Sequence, residues 1–290
     1  MARIEAKLFI DPVCPFGYSA SPALRALEWR YRDQISWEMV VIGLTSPDGP
    51  SLPYTPAELA ANIVPIRDRY GMPFALEPKT RSFTSARACQ ALVAVRLGQP
   101  GYEWKALRAL QILFFNTPLL PDEDAQLLAA LETVPGLDAA AAIGAIDTPE
   151  VQEAYLVDWR EARTAAGGAG ELQGKTADTG EGVRYTAPSV IFSSGDRRLE
   201  AVGFQPLEAY DVVVANLAPD MTRCGPAEEP LEALGLYPGG LTTREIATVL
   251  SPDDPVAASE GTEQQLIRLV GDEAVERVPL GNDALWVARH

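Results

Sequence analysis

Three cysteines, Cys14, Cys89 and Cys224, and a single histidine, His290, bound the nucleophilic chemistry open to this chain of 290 residues. A His-paired nucleophile or a His-rich metal centre has almost nothing to draw on, and no metal site is expected. Cys14 has the most informative surroundings, Asp11-Pro12-Val13-Cys14-Pro15-Phe16-Gly17-Tyr18. Before it, Ile4, Ala6, Leu8 and Ile10 alternate as one face of a short strand. After it, Leu24, Leu27, Glu28 and Tyr31 recur at helical spacing. Pro15 suits the first helical position, where an amide proton would lack a partner and φ is already set. A thiol at a strand-to-helix junction faces free N–H groups and the positive end of the helix dipole. Both favour the nucleophilic thiolate, so an activated thiol is the expectation. The competing possibility is a small buried hydrophobe in an ordinary turn, the commoner fate of a free cysteine. Cys89, among Ala88, Ala91 and Leu92, reads as that inert kind.

The elements that position this thiol follow in order. Ile35 to Gly43 reads as a second strand whose apolar second half, Met39-Val40-Val41-Ile42, is covered on both faces. Strand, helix, strand at this length is a right-handed parallel βαβ unit. Pro47, Pro50, Pro53 and Pro56 then interrupt the sheet with a surface loop close enough to shape a pocket. From about 57 to 165 the pattern is helical, with Thr84 or Ser85 and Thr148-Pro149-Glu150 as helix starts. Residues 165 to 182 are rich in glycine and read as a loop. Tyr185 to Phe192 returns as a strand headed by Ala187-Pro188, and Arg198 to Gly203 completes a hairpin across Ser194-Gly195-Asp196. Leu207 to Leu217 is a closing helix.

Strand–Cys-Pro-Phe-Gly–helix, with Pro22 further along the helix and a proline heading a late strand, resembles the DsbA-like branch of the thioredoxin superfamily. The resemblance covers about residues 4 to 218. It implies an α/β fold, a thioredoxin-like sheet with a helical-domain insertion. It also implies that Pro188 is a cis-proline lying against Cys14, with the backbone of Ala187 open to a bound thiol. Pro15, Phe16 and Gly17 would complete the thiol-binding surface. The chain departs from the family pattern at Gly17, which stands where a second, resolving cysteine would be.

The expected organisation is a thioredoxin-like domain over 1–225, its insertion at about 57–165, and a C-terminal module over 226–290. In that module Leu241 to Ala247 and Glu263 to Val270 read as helices. Val275 to Val278 and Ala284 to Val287 flank a turn. Helices followed by a hairpin resemble a small winged helix. Residues 226–290 carry 12 acids and 4 arginines, a net charge of −8 in a chain of net charge −16. Phosphate contacts would be repelled, so nucleic acid is excluded as a partner and the module is expected to pack, dimerise or dock a partner. The chain lacks an apolar stretch of membrane-spanning length, its first residues carry no apolar signal region, and three cysteines make no disulfide framework. A cytoplasmic protein that does not engage membranes is expected, with a homodimer as its oligomeric form.

Three functions of different class fit. The first is a thiol–disulfide oxidoreductase in which Cys14 attacks a disulfide and an external thiol resolves the product. No cofactor is held tightly, and a low-molecular-weight thiol such as glutathione or mycothiol is the partner. The second is a transferase or isomerase using such a thiol. Kappa-class glutathione transferases and 2-hydroxychromene-2-carboxylate isomerases resemble this architecture but carry serine where this chain has Cys14. The third is a silent fold that binds through its C-terminal module.

Overall fold

The computed structural model describes residues 4–47 and 49–289. The opening unit is β1 (Ile4–Ile10), α1 (Pro15–Ser19), α2 (Ser21–Tyr31) and β2 (Ile35–Val41), with β1 and β2 parallel, Ile4 opposite Ile35 and Ile10 opposite Val41. Ile4, Ala6, Leu8 and Ile10 enter the main core, while Phe9 turns to a second cluster on the other face, as strand alternation requires. Pro22, without an N–H, sits in the first turn of α2 and separates it from α1 at Ala20.

Six helices follow: α3 (Pro56–Tyr70), α4 (Ala86–Gly98), α5 (Glu103–Asn116), α6 (Asp124–Leu131), α7 (Ala139–Ala145) and α8 (Pro149–Glu161). α4 is their axis, buried along its first ten residues except Arg87. Arg96 sews this block to the sheet: it donates to the Met39 carbonyl at 2.8 Å and to both oxygens of Asp158, which accepts the Val41 amide at 2.9 Å. Such a buried pair fixes docking geometry more than it adds net stability.

The chain then re-enters the sheet through α9 (Ala169–Leu172), β3 (Thr176–Asp178), β4 (Val183–Tyr185), β5 (Ser189–Ser194), β6 (Arg197–Ala201) and α10 (Leu207–Leu217). The sheet order is β2-β1-β5-β6, with β5 antiparallel to both neighbours. The glycine-rich stretch 165–182, expected as a loop, instead holds a helical turn and a strand paired with β4. Three residues are too few to show a periodicity, and β3 exists because β4 pairs with it.

The C-terminal residues form α11 (Pro230–Leu236), β7 (Leu241–Thr242), α12 (Thr243–Leu250), α13 (Pro255–Gly271), β8 (Val275–Leu280) and β9 (Asp283–Ala288), with sheet order β7-β9-β8. This is a winged-helix arrangement. The α11 residues were not anticipated, and α13 starts eight residues before the expected Glu263. Its first turns carry alanine, serine and glycine and no apolar stripe, so the start is set by Asp254, which caps the Ala257 amide at 3.0 Å.

The module packs within the chain. Thr242 and Glu245 form a capping box at the head of α12, which lies against α2. Glu245, fully buried, accepts two hydrogen bonds from Arg108 of α5 at 2.7 Å and one from Ser21 of α2. The β8–β9 turn reaches back to residues 72–76: the Phe74 amide donates to Asn282 Oδ1 at 3.0 Å. Gly281 has φ +53°, and a side chain there would strike the Phe74 backbone at 2.7–2.8 Å, so glycine is required.

Candidate functional site

Cys14 closes the turn that follows β1. Its amide donates to the Asp11 carbonyl at 3.1 Å, and its own carbonyl accepts the Tyr18 amide at 3.0 Å. Its φ and ψ, −80° and 115°, are extended, which is the geometry of a residue capping the short α1. Pro15 stands at the first helical position. The Ala187–Pro188 peptide is cis, and the Cys14 thiol donates to the Ala187 carbonyl at 3.2 Å. The sequence elements that carry Cys14 and Pro188 therefore meet at one point, 173 residues apart in the chain.

The expected thiolate activation is corrected by the surroundings of the sulfur. Cys14 is only 6% exposed, and burial pushes its thiol up to about 12. The Gly17 and Phe16 amides pull the other way, and the charge of Asp11 adds to the rise. That rise is what remains after the two amides have acted, so burial outweighs them and opposes ionisation of the folded thiol. The helix is five residues long, so its dipole contributes little. The resting site thus holds a neutral thiol donating to the Ala187 carbonyl, and that carbonyl, expected to be open to a ligand, is occupied by the protein's own sulfur.

Asp11 was missed by sequence reasoning, although an acid ending the apolar run Leu8-Phe9-Ile10 was a usable signal. It is fully buried; Oδ1 accepts the Val13 amide at 2.9 Å and Oδ2 the Leu44 amide at 2.7 Å. These bonds lock the Cys14 turn to the segment after β2. Burial still raises the carboxyl against those donors. The Cys89 thiol donates to Asp11 Oδ2 at 3.5 Å, and its own pKa is raised by burial and by Asp11, which matches the inert reading.

All three cysteines are free. Gly17 is buried in α1, and Cys89 points at Asp11 where Cys14 points at Ala187. The Cys224 amide is bound to the Arg30 carbonyl at 2.9 Å, at the far end of α2. An 11-residue helix separates the two ends by roughly 15 Å, about twice the Cα span a disulfide tolerates.

Around the thiol, an aromatic rim joins three elements. Phe16, 41% exposed, meets Tyr70 of α3 edge-on at 6.3 Å, and Tyr70 packs on Phe204 at 4.3 Å. Across from the rim, Val183, Tyr185 and Ala187 share one apolar cluster with Cys14. Arg184, between them, lies within electrostatic reach of both Cys14 and Asp11. Tyr70, Arg184 and Phe204 are scattered singly along the sequence and belong to no motif. A cleft of about 400 Å³ lies elsewhere, lined by Arg87, Gln90, Asp122 and Asp147. Arg87 there is already paired with Asp124 and Asp147, so the cleft offers no comparable chemistry. Among the described residues there is no cluster of metal-ligating side chains, and no helix is long and apolar enough to cross a membrane.

Comparisons with known proteins agree with this fold. The chain is 26% identical over 294 positions to the ClpXP adapter protein SpxH of Shouchella clausii, a match covering 98% of this chain and 88% of that protein. A putative protein disulfide isomerase from Nitrosomonas europaea superposes with a TM-score of 0.58 at 17% identity, covering 74% of this chain and 97% of that one. The cytosolic disulfide reductase DsbM from Pseudomonas aeruginosa superposes with a TM-score of 0.52 at 17% identity, covering 73% and 97%. The family model of the DSBA-like thioredoxin domain matches residues 6–166, more than half of the sequence, and the chain belongs to that family.

Proposed function

We propose that the chain is a thiol–disulfide oxidoreductase working through Cys14 alone. The observation that carries this reading is the contact of Cys14 Sγ with the Ala187 carbonyl at the cis Ala187–Pro188 peptide, with Gly17 where a second cysteine would stand. The Cys14 thiol gives its proton to water, and the thiolate attacks one sulfur of a disulfide. The Cys14–S–S–R bond forms as the R–S–S–R′ bond breaks, and R′S⁻ leaves. An external thiolate then attacks the mixed disulfide, returning Cys14 as thiolate and carrying R away as a new disulfide. Pro15, Phe16 and Gly17 form one wall and Ala187-Pro188 the other. The external thiol is a small one, of the glutathione or mycothiol kind, and the setting is the reducing cytoplasm. That DsbM is described as a cytosolic disulfide reductase, and has been solved with GSH, supports this.

The test is intact-mass analysis and peptide mapping of wild type and Cys14→Ser after brief treatment with a small disulfide. The adduct should form on Cys14 and persist until an external thiol is added. Modification of Cys89 or Cys224 first, or insulin reduction by wild type at the rate of a dithiol enzyme, would overturn it.

A second reading, a binding protein in which the thiol is silent, is favoured by one observation. The relative named as an adapter aligns along nearly the whole chain, C-terminal module included, whereas the disulfide isomerase and DsbM cover about three quarters of it. Failure of Cys14 to accept any disulfide would favour this reading.

A further inference from the structure

The strand that leads into Pro188 brings a cation, Arg184, within electrostatic reach of the thiol. Arg184 of β4 donates to the Tyr185 carbonyl at 3.2 Å and forms no ion pair among the described residues. Asp11 is within its electrostatic reach, but both Asp11 oxygens already accept backbone amides. Arg163, just after α8, has a side chain only 6% exposed. It donates to the Ile42 and Trp159 carbonyls at 3.1 and 3.0 Å and lies on the Trp159 ring. Its Nε is buried without a hydrogen-bond partner, and its ion pair with the exposed Glu181 is long, 3.9 Å. The two guanidinium groups are close enough that Arg184 helps pull Arg163 down to about 10, after burial. Lys175 is tied to the same place: its carbonyl accepts from Thr186 Oγ1 at 2.8 Å, and its stem runs beside Gly203.

Holding two guanidinium groups together in a partly buried place is unfavourable unless an anion joins them. Arg81, Arg87, Arg96 and Arg108 each pair with a carboxylate. Arg184, within electrostatic reach of the candidate nucleophile, does not, in a chain with 40 acids against 24 lysines and arginines. Planar guanidinium groups match carboxylates in geometry. We propose that Arg184, supported by Arg163 and Lys175, forms a carboxylate-binding site beside Cys14 that selects small disulfides and thiols carrying a carboxylate. The site deepens the reading of Cys14 as a disulfide-reactive thiol and rests on it.

The test compares three disulfides of similar size that differ in end group: 3,3′-dithiodipropionate (anionic), 2-hydroxyethyl disulfide (neutral) and cystamine (cationic). Rates of adduct formation on Cys14 are measured by mass and divided by the rates of the same disulfides with 2-mercaptoethanol. Taking ratios between substrates cancels any change in the thiol's own reactivity. In wild type the anionic disulfide should exceed the cationic one by about tenfold or more, and the excess should shrink as salt is added. In Arg184→Met the ratio should fall to about one or below, because the net negative field of the chain then acts alone. Arg184→Lys should keep part of it. An unchanged ratio in Arg184→Met, or no anionic preference in wild type, overturns the proposal. Should Cys14 react with none of the three, the disulfide-reactive reading fails, and the site is read without thiol chemistry. The unreactive 3,3′-thiodipropionate is titrated into Cys14→Ser with and without Arg184→Met, followed by NMR. Binding lost with Arg184→Met supports the site; equal binding, or none, overturns it.

Discussion

A β-carbon built on Gly17 would lie 3.5 Å from Cys14 Cβ, at the short edge of the separation that disulfides show. The backbone there is helical and not left-handed, so a side chain meets only one obstacle, Ile10 Cδ1 at 2.5 Å, the free end of a flexible chain. Gly17→Cys should therefore cost about 1 kcal/mol in the reduced protein and, on mild oxidation, bond to Cys14 with loss of two hydrogens by intact mass. Two free thiols after oxidation would show that the site cannot host a dithiol. A second expectation concerns pH. With its folded value pushed up to about 12, Cys14 should alkylate faster by about tenfold per pH unit through pH 9–11. A plateau near 8.5, the value of a free thiol, would contradict the burial described here. The same shift bears on stability. The folded state prefers the neutral thiol, so its contribution is full below about 8.5 and is lost as pH rises toward 12. At this scale the sequence revealed Cys14, Gly17 and Pro188, because each sits in a local pattern. It did not reveal the neutral state of the thiol, which depends on what the rest of the chain folds over it.

Among the elements, α12 is the one whose removal should matter most. Its Glu245 serves both the capping box and the buried pair with Arg108, and Ser21 of α2 donates to it as well. Although burial opposes ionisation, Arg108 and Arg25 hold the carboxyl down to about 2. Glu245→Gln should destabilise the protein by about 3 kcal/mol in denaturant titrations, since Arg108 then keeps a buried charge without its counter-ion. A loss below about 1 kcal/mol would show that water already shares the site. The pH dependence has the opposite sign to that of Cys14. The folded value is depressed, so the contribution is full above about 4.5 and is lost as pH falls toward 2. Cleavage of the extended stretch between α10 and α11 by an acid-active protease should rise over that range in wild type and not in Glu245→Gln. The capping signal Thr242-x-x-Glu245 could be read from sequence as a helix start. That the same glutamate bridges to residues 108 and 21 could not, because nothing local marks a partner more than a hundred positions away.

Over the whole molecule, the winged-helix arrangement invites comparison with nucleic-acid readers, and charge argues against that use. The last lysine is Lys175, and residues 226–290 have a net charge of −8. α12 is buried against α2, while α13, the second helix of the pair, is largely exposed, so it is charge that would repel phosphates. The full chain should show no salt-sensitive, submicromolar binding to duplex DNA by fluorescence anisotropy; such binding would mean that the module swings free. The order of elements, from βαβ through helices to a β-hairpin and helix, was legible because hydrophobic period and turn residues report on each segment alone. The arrangement of those segments was legible only as far as the family resemblance reached, which stops near residue 218. Beyond it, α11, the true start of α13 and the docking on α2 had to come from the structure.

The turn at Gly281-Asn282 gives the molecule a timetable. It completes the packing around Phe74, which shares an apolar cluster with Val13 and Tyr18, the residues bracketing the thiol motif. On the ribosome, Cys14 is made about 270 residues before Asn282. At 5–20 residues per second that interval is roughly 15 to 50 seconds. Throughout it the nascent chain carries the Cys14 thiol without the last piece of its wall, so the thiol meets the disulfides and thiols of its compartment while still unfinished.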